Sequence, residues 1–154
     1  MNSPDTTDPE VRISPIGWVA KQARLYEESG GTRGTTVNDA PCLLLDYRGR
    51  RSGQWHRTVL IYLLDRESYL IVASNGGADS HPLWYRSIGK NPDVKVRVGT
   101  NRFAARAHTL SREEKADVWP SLVEIFSPYD AYQRKTSRDI PVVRLHPTDE
   151  RGIK

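Results

Sequence analysis

Cys42-Leu43-Leu44-Leu45-Asp46-Tyr47-Arg48-Gly49-Arg50-Arg51-Ser52-Gly53-Gln54 runs on into Trp55-His56-Arg57-Thr58-Val59-Leu60-Ile61-Tyr62-Leu63-Leu64, and the fold is read from this stretch. Cys42 to Tyr47 reads as a short buried strand, while Arg57 to Leu64 alternates and then runs apolar. The glycine-bounded basic turn between them makes a β-hairpin. Glycines let backbone N–H groups come close to a ligand, Ser52 adds a hydroxyl donor, and Arg50 and Arg51 offer forked donors that match phosphate oxygens. The turn is therefore a candidate anion site. A solvated hairpin whose arginines keep an edge soluble is the plain alternative.

Upstream, Ile16, Val19, Ala20, Ala23 and Tyr26 recur at spacings of three and four, which predicts an amphipathic helix over Ile16–Glu28. Either it caps one end of a sheet, or it lies on a membrane surface with Trp18 as interfacial anchor and Lys21 and Arg24 near the headgroups. Downstream, strands are expected at Tyr69–Ala73, Val94–Val98, Arg102–Thr109 and Val142–Leu145, which makes about six with the hairpin. Two helices interrupt them. His81–Ile88 carries Pro82 in its first turn, and Ser111–Ile125 opens on a capping box from Ser111 to Glu114. Short strands with few crossover helices imply an α+β fold, a mostly antiparallel sheet curled into a small barrel with helices outside.

The 154 residues suit one domain over 15–147, between a disordered segment at 1–14 and a flexible tail at 148–154. No apolar run approaches the roughly 18 residues that a spanning helix needs. Met1–Glu10 is polar and acidic with no apolar core, so it is not a secretory signal, and a cytoplasmic location is expected. The lone Cys42 sits in an apolar run and reads as a core residue. A net charge of +4 would suit nucleic acid, but the cations are interleaved with acids, as in Arg112-Glu113-Glu114-Lys115, and no nucleic-acid motif is present. A small polyanionic ligand fits equally well. His56, His81, His108 and His146 lie far apart and pair with no Cys or carboxylate at ligand spacing, so no metal is expected. With no G-x-S-x-G elbow, no G-x-G-x-x-G and no nucleophile–base set, an enzyme built on this chain needs a cofactor for the difficult step. Trp84-Tyr85 and Phe126-x-x-Tyr129-x-x-Tyr132 form either a lid over a flat ring or an ordinary core stripe.

In chain order, Gly49-Arg50-Arg51-Ser52-Gly53-Gln54, Ala73-Ser74-Asn75-Gly76-Gly77-Ala78, His81-Pro82-Leu83-Trp84-Tyr85, Asn91-Pro92-Asp93-Val94, Trp119-Pro120, Tyr132-Gln133 and Ile140-Pro141-Val142-Val143 resemble the deazaflavin-dependent nitroreductases, a family of actinobacterial proteins. The resemblance covers residues 16–147. It implies a split β-barrel, reduced coenzyme F420 as cofactor, and hydride transfer to an electron-poor acceptor such as a quinone or a nitroaromatic. It also implies that Arg50, Arg51, Ser52 and Gly53 hold the cofactor phosphate and that the Ser74, Asn75, Gly76 and Gly77 loop runs beside the deazaflavin, with Trp84 and Asn91 completing the cofactor side. Ile61, Phe126, Tyr129 and Tyr132 then fall on the acceptor side, with Tyr129 or Tyr132 as the catalytic proton donor.

The chain departs from the family pattern at three of these positions. Asn75 stands where Lys is common, Ile61 where some members carry a substrate-facing Tyr, and Phe126 lacks a hydroxyl found in others. The alternatives are an FMN-binding reductase on the same barrel and a non-catalytic F420 carrier. Expected partners are a small-molecule acceptor, no nucleic acid, and the inner face of the cell membrane touched peripherally by the first helix; the chain is a monomer or a homodimer.

Overall fold

The apolar run Cys42–Leu45 is buried on both faces because the strand that carries it, β3 (Ala40–Arg48), is covered on two sides. In the computed structural model, which describes residues 11–148, this strand belongs to an α+β fold. The remaining strands are β1 (Val11–Ile13), β2 (Thr36–Val37), β4 (Trp55–Ile61), β5 (Leu63–Asp65), β6 (Ser68–Val72), β7 (Asp93–Val98), β8 (Asn101–Thr109) and β9 (Val142–Pro147). The helices are α1 (Gly17–Glu28), α2 (Leu83–Lys90), α3 (Arg112–Ile125) and α4 (Pro128–Lys135). The sheet order is β1-β4-β3-β7-β8-β9-β6-β5, with β2 paired to β3, and every pairing but the parallel β1–β4 is antiparallel. This is a curled, split barrel that does not close.

Side-chain alternation sorts the sheet into an inside and two covered outer faces. Leu43 and Leu45 point inward with Ile71, Val94, Val96, Phe103, Val143, Leu145 and, from α2, Trp84 and Ile88. On the opposite face, Cys42, Leu44 and Val59 meet Val19, Ala23 and Tyr26 of α1. Further round, Leu70, Val72 and Val142 are covered by Leu122 of α3 and Tyr129 of α4.

Several expectations need correction. Among the described residues the sheet has nine strands, where about six are expected from the sequence. β1 and β2 are only three and two residues long and owe their existence to distant partners, and Tyr62 interrupts Arg57–Leu64 into β4 and β5. β1 also falls in the stretch expected to be disordered, where Val11 lies opposite Trp55, and Thr148, expected in the tail, donates its N–H to the Ala104 carbonyl (2.9 Å). The rest of those two segments, 1–10 and 149–154, lies outside the described residues. Instead of capping an end of the sheet, α1 covers one of its faces. A fourth helix begins at Pro128, whose fixed φ suits the first turn.

The last turn of α1 is tied down by two buried polar residues. The Tyr26 hydroxyl accepts the Gly99 N–H (2.6 Å) and lies 3.1 Å from the Cys42 carbonyl, to which it donates. Burial pushes its pKa up to about 12, so it remains a neutral phenol. Glu27, 5% exposed, accepts from Arg97 Nη1 at 2.8 Å and from Arg102, with Arg57 Nη1 at 3.6 Å. Arg57 in turn makes a bidentate pair with Asp46, both bonds 2.7 Å. Removing one member of a buried ionic network leaves the others desolvated and under-compensated. Glu27→Gln keeps the shape and deletes the charge. It is expected to cost about 3–5 kcal/mol, roughly 6–20 °C in melting temperature for a chain of this size. Thermal unfolding checks this, and a melting temperature equal to that of the wild type would show that the arginines do not depend on Glu27.

Candidate active site

Register places most of the sequence-predicted site segments at one end of the sheet. The turn after β3 opens where Arg48 pairs with Trp55, and β7 begins near that end because Asp46 pairs with Lys95. Following the pairs on, β8 ends there opposite the start of β9 (Thr109 with Val143), and β6 ends there opposite Val142. The 49–54 turn, the 73–78 loop, α2, Asn91 and the α3–α4 segment therefore share one rim. The β4 register does not bring Ile61 to this rim with the others. It is the last residue of β4, opposite Cys42 at the far end of the strand from Trp55, and two residues later Leu63 pairs with Leu70 on β6, so the chain crosses the split of the barrel there.

The 49–54 turn is built to leave donors unused. Gly49 N–H bonds Gln54 O (2.8 Å), Gly53 N–H bonds Gly49 O (2.9 Å), and Gln54 N–H bonds the Ser52 hydroxyl oxygen (3.1 Å). Among the described residues, the amides of Arg50, Arg51 and Ser52 and the guanidiniums of Arg50 and Arg51 have no hydrogen-bond partner. Consecutive free amides beside two forked cations are a donor set of the kind that suits an anion. Gly53 sits at φ +71° with no atom within 4 Å of where a Cβ would stand, so its outer face is open. At Gly49 a Cβ would come within 2.9 Å of His56 Nε2 and of the Ser52 oxygen, so a side chain there would push these two side-chain ends aside.

The 73–78 loop has a closed side and an open side. A Cβ at Gly77 (φ +83°) would strike the Tyr132 carbonyl at 2.9 Å, whereas at Gly76 (φ +63°) nothing lies within 4 Å. The loop is thus pressed against α4 on one flank and free on the other. Asn75 is also left-handed (φ +48°), and its side-chain amide donates to Ser80 O (3.0 Å). The side chain is turned back onto its own loop. Lys135 of α4 brings its ammonium to within 3.5 Å of the Gly76 carbonyl.

The aromatic residues divide between two environments. Trp84 is buried inside the sheet, edge-on to Tyr85 (6.0 Å between ring centres), and Asn91 is exposed just past α2. Phe126, Tyr129 and Tyr132 form one group, with Phe126 4.9 Å from Tyr129 and 6.3 Å from Tyr132. Tyr129 is only 4% exposed, yet among the described residues its hydroxyl has no hydrogen-bond partner and is not one of the fully buried unsatisfied atoms, so the small exposed part includes the oxygen. Burial, and secondarily the neighbouring Tyr132, push its pKa well above the usual phenol value. It is a neutral donor at physiological pH.

A family model described as F420H(2)-dependent quinone reductase matches residues 18–147. The chain belongs to this family. It is similar to the F420H(2)-dependent quinone reductase Rv1261c of Mycobacterium tuberculosis, 38% identical over 125 residues that cover 79% of this chain and 84% of the relative. Among solved structures it is similar to one described as an F420-H2 dependent reductase (FDR-A), with 36% identity and a TM-score of 0.65 over 72% of this chain and 98% of the other. Another, described as a domain-swapped dimer, has 36% identity and a TM-score of 0.67 over 86% of this chain and all of the other. The resemblance drawn from the motifs therefore holds for the family and for the split-barrel fold.

For a member of the F420H(2)-dependent quinone reductase family, the rim also contains two residues that sequence reasoning passed over. Lys135 and Arg138 both bond the 73–78 loop, and Arg138 also meets His81. Their contacts run largely to backbone carbonyls, which leave no motif. Among the described residues no group of His, Cys, Asp and Glu has the arrangement of a metal site. Cys42 is buried, and burial pushes its pKa up to about 12, so it is a core thiol.

Proposed function

We propose that this chain is an F420H2-dependent oxidoreductase that reduces quinones, and nitroaromatics as surrogates, with the cofactor held along the rim of the split barrel. The observation that carries the assignment is the 49–54 turn, where among the described residues three consecutive amides and two guanidiniums have no partner while Gly49, Gly53 and Gln54 bond across the turn. In this reading Arg50, Arg51, Ser52 and Gly53 hold the phosphate. Ser74, Asn75, Gly76 and Gly77 form the wall beside the ring, and the open face of Gly76 lets a flat group approach the backbone. Bound reduced F420 supplies the hydride. Trp84 and Asn91 support the cofactor side through the position of α2.

The acceptor side is formed by Phe126, Tyr129 and Tyr132, with Ile61 at the barrel split. Reducing a quinone to a hydroquinone places negative charge on oxygen, and a positioned neutral phenol stabilises that charge and provides a proton. Tyr129 suits the role because its ring is fixed by packing against Trp119 and Phe126 while its hydroxyl remains uncommitted. Tyr132 is half-buried beside the loop and is the second candidate.

Among the described residues no helix is long and apolar enough to cross a membrane. One feature favours contact with a membrane surface. With the underside of α1 buried on the sheet, Ile16 (56%), Trp18 (55%) and Leu25 (37%) remain exposed alongside Lys21 and Arg24, a face suited to an anionic interface. An acceptor dissolved in lipid would then be met at the bilayer of a cytoplasmic enzyme.

Three experiments test these assignments. Titration with F420 and with FMN should show binding of F420 only, and Arg51→Ala should raise the F420 dissociation constant about ten- to a hundredfold with turnover at saturating cofactor little changed. Uptake of FMN in place of F420 would refute the cofactor. Tyr129→Phe should leave F420 affinity intact and lower kcat/KM for menadione about ten- to a thousandfold, while wild-type activity shows no loss of this donor up to about pH 10 because the phenol pKa is raised. Full activity of that variant would pass the role to Tyr132. Vesicles of phosphatidylglycerol and phosphatidylcholine should sediment the protein at low salt, with Trp18→Ser remaining in the supernatant; equal behaviour of the two proteins would exclude α1 as the contact.

A further inference from the structure

Arg138, in the irregular segment between α4 and β9, makes a set of contacts that none of these roles uses. Its Nε donates to Ala78 O (3.0 Å), Nη1 to Ala73 O (3.2 Å) and Nη2 to Ser74 O (2.9 Å). Nη1 also lies 2.9 Å from His81 Nδ1. One planar guanidinium thus holds both ends of the 73–78 loop and the residue just before the proline that opens α2. The clamp is itself supported. Arg138 N–H bonds the Thr136 hydroxyl oxygen (3.2 Å), and Thr136 donates that hydroxyl to Asp79 (2.7 Å).

The chemistry of the partners explains why arginine stands here. The carbonyls of Ala73, Ser74 and Ala78 lie beyond the end of β6, where the strand ladder no longer supplies donors. A guanidinium carries five N–H donors in a fixed plane and no acceptor, so it can serve several carbonyls at once, and it requires His81 to accept through an unprotonated Nδ1. Burial, and the cations of Arg138 and Arg86, lower the His81 pKa in the same direction. Lysine, a compact charge whose three donors spread from one nitrogen on a flexible stem, cannot reproduce the planar fork.

We propose that Arg138 is the positioning residue of the cofactor site: it locks the 73–78 loop in the left-handed path that turns the open face of Gly76 outward and seats Gly77 on α4. This rests on the reading that the loop flanks F420. Arg138 itself touches backbone and His81, and acts on the cofactor through the loop. Because the same residue follows the helix that carries Tyr132, it also fixes the spacing between the cofactor wall and the acceptor wall.

Arg138→Lys keeps the charge and removes the fork; Arg138→Ala is made alongside it. Two measurements are taken on each folded variant: hydrogen exchange at the amides of Gly77 and Ala78 without cofactor, and the F420 dissociation constant with kcat at saturating F420. Both variants are expected to exchange these amides at least tenfold faster and to bind F420 at least tenfold more weakly. At saturation kcat should stay within about threefold, the pattern of lost uniform binding. A purely structural role would lower the melting temperature without that split. Unchanged exchange in Arg138→Lys overturns the clamp, and faster exchange with unchanged F420 affinity overturns the positioning role. Failure of the wild type to bind F420 overturns the reading of the loop as a cofactor wall, and the positioning role with it, a result distinct from either of the others.

Discussion

The outer face of this curled sheet is covered by α1, and the last turn of that helix is held there by one buried carboxylate. Glu27 gathers arginines from β4, β7 and β8, three strands that would otherwise be joined only through β3 and their ladders. Isolated, each of these charges would be costly to bury; together they compensate, and the arrangement admits one seating of α1. Tyr26, the preceding residue, adds the geometric part of the constraint by bridging the β3 carbonyl at Cys42 and the β7–β8 hairpin at Gly99. That hairpin lies so close to the end of α1 that a Cβ at Gly31 would fall 1.8 Å from the Gly99 carbonyl oxygen. Glycine at 31 is what allows the helix to finish against the hairpin.

With one end of the sheet anchored in this way, the other is free to carry loops, the usual division of labour between a rigid scaffold and a functional rim. Antiparallel pairing makes the division a matter of register. Strands that alternate in direction return to the same edge, so segments far apart in sequence, near residues 50, 75, 91 and 130, converge there, with the connection from β6 to β7 passing over the ends of β9 and β8. The rim is then divided by chemistry. The β3–β4 turn offers free donors, the β6 loop offers bare backbone, and α4 offers aromatic rings.

How much of this was legible in the sequence depended on whether a feature is local. Cys42–Leu45 and the basic turn were readable because burial on both faces gives an unbroken apolar run and the turn closes through a left-handed glycine, Gly53 at φ +71°. The capping box at Ser111 and Glu114 was equally local, and both halves of it form. β1 and β2 were not readable, since two- and three-residue strands carry no periodicity and exist through pairing with β4 and β3. The helix at Pro128–Lys135 was hidden by its polarity, with Asp130 between the tyrosines and Gln133, Arg134 and Lys135 after them. Its aromatic spacing of three was visible, but that spacing fits a turn as well as a helix. The roles of Arg138 and Lys135 were out of reach for another reason. Side chains that bond distant carbonyls leave no partner residue type to look for.

Asn75 shows how a departure from a family pattern changes meaning once geometry is known. Read from sequence, it is a missing cation. In the fold, position 75 has a left-handed backbone, a conformation that asparagine tolerates better than lysine, and its amide closes the loop onto Ser80. A positive charge still reaches the loop, from Lys135 across the gap to Gly76. The substitution thus exchanges an adaptable cation on the loop for a loop that is better fixed, with the cation supplied from α4. Arg138 completes the same arrangement from the far side, since it too holds backbone in place and leaves the open face of Gly76 unobstructed. The wall of the proposed cofactor site is therefore defined by backbone shape more than by side-chain charge, while charge is concentrated at the 49–54 turn, where the phosphate would lie.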